Sequence, residues 1–250
     1  MITVKSANEL ALMREAGRIV AEVLARVQET VTAGMTTADL EAIADEIIVG
    51  KYRAVPSFKG YRGFPGSVCS SINEEIVHGI PGQRALREGD IVSVDVGVIH
   101  EGYHGDAAVT VAVGKIDAES ERLMAVTAEA LRIGIEAAQP GKWTSEISKA
   151  IQDYVEGQGF SVVREYTGHG IGRNMHEDPQ IPNYYDRRMG RVRLRPGMTF
   201  ALEPMVNAGG WRTRVLDDSW TVVTADGKRS AHFEHTVAVT MNGPEILTRL

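Results

Sequence analysis

Four acids sit where acids are costly. Asp95 interrupts the apolar run IVSVDVGV and Glu203 the run MTFALEPM, while Asp106 in GDAAVTVAV and Glu234 in FEHTVAVT each stand just before an alternating stretch. An ionised carboxylate in such a setting must be paired, hydrogen-bonded or bound to a metal, because unrelieved desolvation costs on the order of several kcal/mol. Four such groups brought together repel one another. Two divalent cations would balance their charge, so the pattern predicts a dinuclear centre with shared acids, as in two-metal hydrolases. In the alternative, each acid pairs with its own arginine or faces water, but no basic residue recurs beside both Asp95 and Glu203.

Two histidines join them. EYTGHGIGRNMHEDP carries His169 and His176 in a glycine-rich segment, read as a loop in which glycine lets the backbone approach a site closely. GHGIG is not a full dinucleotide fingerprint, and Pro179 and Pro182 interrupt any helix after it. HEDP is not a zincin motif, since Gln180 stands where the second histidine belongs. His78, in VHGIPG, is a further candidate. His100, His104, His232 and His235 read as surface or strand-face residues, and strand alternation turns His235 away from Glu234. Oxygen-rich ligation with one imidazole suits manganese, iron or cobalt at least as well as zinc.

The elements that must position these residues are written twice. LREGDIVSVDVG, from Leu86, and LRPGMTFALEPM, from Leu194, share Leu-Arg-x-Gly and an acid at the same later position, at an offset of 108. GMTTADLEAIADEII, from Gly34, and GKWTSEISKAIQDYV, from Gly141, repeat at an offset of 107. Leu40, Ile43, Ala44, Ile47 and Ile48 match Ile147, Ala150, Ile151, Tyr154 and Val155, the stripe of an amphipathic helix, with a threonine near each start as N-cap. Each half also opens on a long helix. The first has a Ser6–Glu9 capping box and a stripe of Leu10, Met13, Val20, Leu24 and Val27; the second starts near Ser120. Strands are expected over 91–98, 105–113, 160–167, 198–205 and 231–240. One α/β (α+β) domain spanning 1–250 is expected, with halves of approximately 1–115 and 116–250.

Composition excludes several classes. The 250 residues carry a net charge of −6, a sequence pI near 5.7 and 43% apolar content, which suits a globular chain rather than a general nucleic-acid binder. No apolar run reaches the roughly 20 residues of a membrane span, and MITVKSANEL has no signal-peptide pattern. A single cysteine, Cys69, precludes an internal disulfide and suits a reducing cytoplasm. The basic stretch RRMGRVRLR, residues 187–195, reads as a half-buried strand with a solvated arginine face, a ribosome or RNA contact being the alternative.

HGIPG, DVGVIHEGYHGDAA, TGHGIG, MHEDP, ALEPM and FEHTVAV, in this order and spacing, resemble the type I methionine aminopeptidases over essentially the whole length. These are metallopeptidases of the pita-bread fold: two pseudo-symmetric αβ halves forming a curved, mainly antiparallel sheet with helices on its outer face. The resemblance implies that Asp95, Asp106, His169, Glu203 and Glu234 hold two metal ions (cobalt, manganese, iron or zinc), with Asp106 and Glu234 bridging. It implies that His78 and His176 contact the scissile peptide and that Glu203 shuttles a proton. Tyr61, Phe64, Cys69 and Trp220 would line the methionine pocket; Phe64 replaces a tyrosine common in relatives, and Phe58 stands where some have cysteine. Asn73 and Ser230 resemble a monovalent-cation site. The lack of an insertion between His176 and Glu203, or of a zinc-finger or Pro-rich N-terminal extension, suits the short bacterial form. The implied partners are nascent-chain N-termini and the ribosome, for a cytoplasmic monomer with no specific nucleic acid and no membrane. The competing readings are a prolidase or Xaa-Pro aminopeptidase of the same fold, and an inactive pita-bread module that only binds.

Overall fold

The computed structural model describes residues 2–188 and 190–250. Helix α1 (Ala7–Thr30) starts at the expected capping box: Ser6 N donates to Glu9 Oε2 at 2.8 Å, and Glu9 N donates to Ser6 Oγ at 3.4 Å. Helix α2 (Thr37–Asp45) is capped by Thr36 rather than by Thr37. Thr37 is buried instead, its hydroxyl bonded to Gly82 O at 3.0 Å. Helix α3 (Ala118–Ala137) starts on Asp117, and α4 (Thr144–Gly157) on Trp143.

The site-bearing strands are β1 (Cys69–Ile72), β2 (Ile91–His100), β3 (Tyr103–Ala112), β4 (Thr167–Gly170), β5 (Glu177–Pro182), β6 (Thr199–Leu202), β7 (Met205–Asn207), β8 (Ser230–His232), β9 (His235–Thr240) and β10 (Gly243–Ile246). In the first half β2 lies between β1 and β3. In the second, a five-stranded sheet runs β10-β9-β6-β4-β5. All strand pairings among the described residues are antiparallel.

Each sheet hides one face under its own helices. Val92, Val94, Val96, Val98, Ala107 and Val109 pack with α1 and α2 in one buried cluster. Phe200, Leu202, Val237 and Val239 pack with α3 and α4 in another. Because strand side chains alternate, the intervening residues face away from the helices, and Asp95, Asp106 and Glu203 are among them. Contacts at the start of each half recur at nearly the offset of the sequence repeat. Gly34 N donates to Leu86 O at 2.8 Å and Gly141 N to Leu194 O at 2.8 Å; Leu86 N bonds Met35 O at 2.7 Å and Leu194 N bonds Lys142 O at 2.8 Å.

Several expected strands differ. The run 160–167 pairs only at Ser161–Val162 before β4 begins at Thr167, the run 198–205 divides into β6 and β7 around Glu203 and Pro204, and the run 231–240 divides into β8 and β9 around Phe233 and Glu234. In the basic stretch, Met189 lies outside the described residues. The remainder forms no strand, only a bridge from Arg193 to Trp143, although Arg191, Arg193 and Arg195 are exposed while Val192 is half-buried and Leu194 buried. No helix among the described residues is long and apolar enough to cross a membrane.

Candidate active site

The carboxylates meet at the seam between the halves. On β2 and β3 the register pairs Gly97 with Asp106 and Asp95 with Ala108, so the two acids are diagonal neighbours, each opposite a residue with little side chain. The second half then docks its broken strand along β3. Glu234 N donates to Ala108 O at 2.9 Å, and Ala108 N donates to Glu234 O at 3.3 Å. On either side, a threonine hydroxyl replaces a ladder bond. Thr236 Oγ1 donates to Asp106 O at 2.8 Å and accepts from Asp106 N at 2.9 Å, while Thr110 Oγ1 donates to His232 O and accepts from His232 N, both at 2.9 Å. This fixes Glu234 beside Asp106. Glu203 follows β6 on the face of Thr199 and Ala201, and Pro204, lacking an N–H, stops the ladder there.

His169 lies on β4 rather than in a loop, with Gly168 and Gly170 on either side. A Cβ on Gly168 would stand 2.5 Å from Ala201 O, so only glycine lets β4 lie this close to β6. His169 Nδ1 is 2.9 Å from Gly170 O; donating that proton leaves the Nε2 lone pair free. Nε2 is 3.5 Å from Glu203 Oε1 and 3.9 Å from Asp106 Oδ2.

A cavity of about 300 Å³ opens over these groups. Its lining includes Tyr61, Phe64, Cys69, His78, His176 and Trp220 as well as Asp95, Asp106, His169, Glu203 and Glu234. The Phe64 and Trp220 rings meet edge to face at 5.1 Å, and with Phe58, Cys69 and Met175 they make an apolar end. His176 packs 4.1 Å from the His169 ring, and its Nδ1 is 3.0 Å from Tyr61 Oη. His78 has φ +61, a strained value for a non-glycine residue. The next residue is pinned against the neighbouring strand, with Ser70 N donating to Gly79 O at 2.8 Å and a Cβ on Gly79 falling 2.2 Å from Ser70 O.

Asn73 and Ser230 also meet, with Ser230 N donating to Asn73 O at 2.8 Å, but neither lines the cavity. The Asn73 side chain is engaged, accepting from Ile91 N at 3.1 Å and donating to Asp90 Oδ1 at 2.8 Å.

The expectation for two histidines is corrected. His104 is buried, with Nδ1 2.9 Å from Ser57 Oγ, and His232 is 1% exposed and lines the cavity. The signal for His232 was present in the alternation itself, which puts positions 232 and 234 on one face and 235 on the other. Arg62 also lines the cavity without a motif to mark it, as do Val77, Tyr166 and Met175, which lie inside the quoted motifs but were given no role.

The electrostatics call for a counter-charge. Burial pushes the Asp95 carboxyl up to about 7. Burial, then the charges of Glu234 and Asp95, raises Asp106 well above the usual range; burial and neighbouring acids do the same to Glu203 and Glu234. Desolvation lowers His169 to about 3 and His78 to about 4, keeping both rings neutral and able to donate a lone pair. Asp95 Oδ1, Asp106 Oδ1 and Glu234 Oε1 are buried without hydrogen-bond partners. Such orphaned acceptors demand an explanation, and a cation supplies it. Ligand atoms of Asp106, His169 and Glu234 all lie within 4.8 Å of one another, as do those of Asp95, His232 and Glu234. Acidic oxygens with neutral imidazoles form a donor set suited to a divalent transition metal.

The sequence matches the model of metallopeptidase family M24 over residues 11–241. The chain belongs to that family. Methionine aminopeptidase 1 of Bacillus subtilis strain 168 is 54% identical over 250 residues, spanning 100% of both chains. The crystal structure of the methionine aminopeptidase of Thermotoga maritima superposes with a TM-score of 0.97 at 49% identity, again over 100% of both. The Xaa-Pro dipeptidase of Bacillus anthracis shares the fold alone, with a TM-score of 0.77 at 21% identity over 99% of this chain and 62% of its own. This M24 chain thus has the expected pita-bread fold, and it is a metal-dependent aminopeptidase.

Proposed function

We propose that the chain removes the N-terminal methionine of nascent proteins and peptides by hydrolysing the first peptide bond at a dinuclear centre, favouring a small second residue. The supporting observation is a set of buried carboxylate oxygens without partners lining a cavity with an apolar end, in a chain 54% identical over its length to a methionine aminopeptidase. Likeness to the Xaa-Pro dipeptidase covers only 62% of that protein, so the prolidase reading is not favoured.

On this reading Asp95, Asp106, His169, Glu203 and Glu234 hold two divalent ions, with Asp106 and Glu234 shared. The ions supply Lewis-acid polarisation and a water acidic enough to ionise near neutral pH. The chain does the rest. The Phe64–Trp220 end, with Tyr61 and Cys69, takes the methionine side chain and excludes water from it. Glu203 accepts a proton during attack and passes it to the leaving amine. If the Tyr61 hydroxyl donates to His176 Nδ1, His176 Nε2–H points its proton at the scissile carbonyl; His78 bonds the same peptide. Asn73 and Ser230 are proposed to take part in binding a monovalent cation. We further propose a cytoplasmic monomer whose exposed arginines at 191, 193 and 195 meet the ribosome.

The test is release of free methionine from Met-Ala-Ser with cobalt or manganese, abolished by EDTA, alongside metal analysis giving two ions per chain. Hydrolysis of an Xaa-Pro peptide but not of Met-Ala-Ser would return the prolidase reading.

A further inference from the structure

One polar atom in the cavity wall has no role in the mechanism above. His232 Nε2 is buried without a hydrogen-bond partner. It lies 3.6 Å from Glu234 Oε2, too far for a hydrogen bond and near enough for both atoms to bind one ion. Thr110 Oγ1 fixes the His232 backbone by bonding both its N–H and its C=O, and the residue is 1% exposed, so the ring is packed in place. One ligand atom each from His232, Asp95 and Glu234 fall within 4.8 Å of one another. That triad mirrors the group of Asp106, His169 and Glu234, with Glu234 common to both.

We propose that His232 is a sixth metal ligand, whose Nε2 gives the Asp95–Glu234 subsite an imidazole to match the one His169 gives its neighbour. This rests on the two-metal reading above. The consequence is selectivity. A subsite of carboxylates alone accepts oxygen-preferring ions such as magnesium and manganese, whereas an added imidazole favours iron, cobalt and zinc. Each ion then has three carboxylates and one nitrogen, so the second subsite fills with borderline metals at lower concentration than an all-oxygen cage would.

The experiment is calorimetric titration of metal-free protein with cobalt and, separately, manganese, for wild type, His232→Ala and His232→Gln. Wild type should take two cobalt equivalents. Both variants should keep the first and bind the second at least about tenfold more weakly, since loss of outer-sphere partners alone costs roughly 10- to 100-fold. The manganese curve should change less than the cobalt curve. In parallel, histidine ¹⁵N spectra of wild type titrated with zinc should show His232 Nε2 shifting with the second equivalent, a readout independent of whether the variants fold. A wild type that binds one ion only would overturn the two-metal reading and this proposal with it. Two wild-type equivalents with an unchanged second affinity in His232→Ala, or an unmoved His232 resonance, would overturn this proposal alone. Full recovery in His232→Gln would also overturn it, because a side-chain amide replaces a hydrogen bond far better than a ligand.

Discussion

The two halves of the molecule use one framework for different chemistry. In both, the loop before the sheet is tied to the start of an amphipathic helix by the same pair of backbone bonds, at Leu86 and at Leu194. Beyond that point they diverge. The first half presents Asp95 and Asp106 from within unbroken ten-residue strands, and the imidazole on the face of Asp106, His104, is engaged by Ser57 Oγ at 2.9 Å. The second half breaks its strands at Glu203–Pro204 and at Phe233–Glu234, and brings in His169 and His232. A strand interior fixes a carboxylate rigidly, while a strand break lets the backbone turn towards the other half. The difference teaches that the duplicated scaffold supplies placement, and the breaks in one copy supply closure of the site.

If closure depends on the second half, Glu234→Ala should be the most damaging change. Glu234 belongs to both candidate metal groups, so the variant should lose both metal equivalents and several orders of magnitude in turnover. Asp95→Asn should lose one equivalent only. Metal analysis and the Met-Ala-Ser assay separate the cases, and equal losses would erase the distinction between shared and single ligands.

A smaller effect appears in the metal-free protein as pH rises. The site carboxyls have folded pKa values above their unfolded ones, so folded protein binds more protons and stability falls as pH climbs from about 4 through 7 and beyond. The buried histidines oppose this at first. His169, His232, His78, His104 and His235 are lowered by burial to about 3 or 4, and their contribution rises with pH until about 6.5, where the unfolded imidazole is also neutral. Above that, only the acids act. Metal-free protein should therefore melt several degrees lower at pH 8 than at pH 6.5, and metal should remove the difference. An unchanged melting temperature without metal would mean the acids carry their own counter-charge.

Packing sharpens the comparison next. In the first half, a Cβ on Gly105 would lie 2.7 Å from Gly17 N on α1, against backbone that cannot give. In the second, a Cβ on Gly134 of α3 would meet the tip of Ile151 at 2.8 Å, which can rotate. Gly105→Ala should cost about 1–3 kcal/mol in urea unfolding. Gly134→Ala should stay within about 1 kcal/mol of wild type, since alanine also favours the helix. Equal costs would mean that α3 and α4 are packed as rigidly as α1 on β3.

What was legible in the sequence were charges in apolar company and apolar stripes on helices. Asp95 stands out because Val94 and Val96 flank it, and the α1 stripe because burial follows its 3.6-residue period. Hidden were features set by the other half of the chain. The break at Phe233–Glu234 leaves the alternation intact, and its cause is Ala108 and Thr110 on β3, more than 120 residues earlier in sequence. The arginine stretch alternates as a strand would, yet its neighbour is the turn at Trp143 rather than a sheet. His232 was readable by the alternation that sets His235 apart, since only tertiary pairing had to be added to bring it beside Asp95 and Glu234.

The helix starts differ least in energy. Thr36 Oγ1 accepts from Asp39 N at 3.2 Å and Asp39 Oδ2 accepts from Thr36 N at 2.7 Å, a complete reciprocal cap on α2. At the equivalent place on α4, Trp143 has no hydroxyl; Glu146 Oε1 accepts from Trp143 N at 3.1 Å, and the Arg191 guanidinium lies over the indole at 4.7 Å. Thr36→Ala should cost about 1 kcal/mol. Trp143→Thr would add the missing cap and lose the arginine contact, itself worth about 0.5–1 kcal/mol when exposed, so the two should nearly cancel. Urea unfolding of both variants decides between capping and stacking as the feature that holds α4. A loss at Trp143→Thr as large as at Thr36→Ala would mean that the second copy exchanged its cap for the arginine stack, and that Arg191 is held through Trp143 rather than merely passing it.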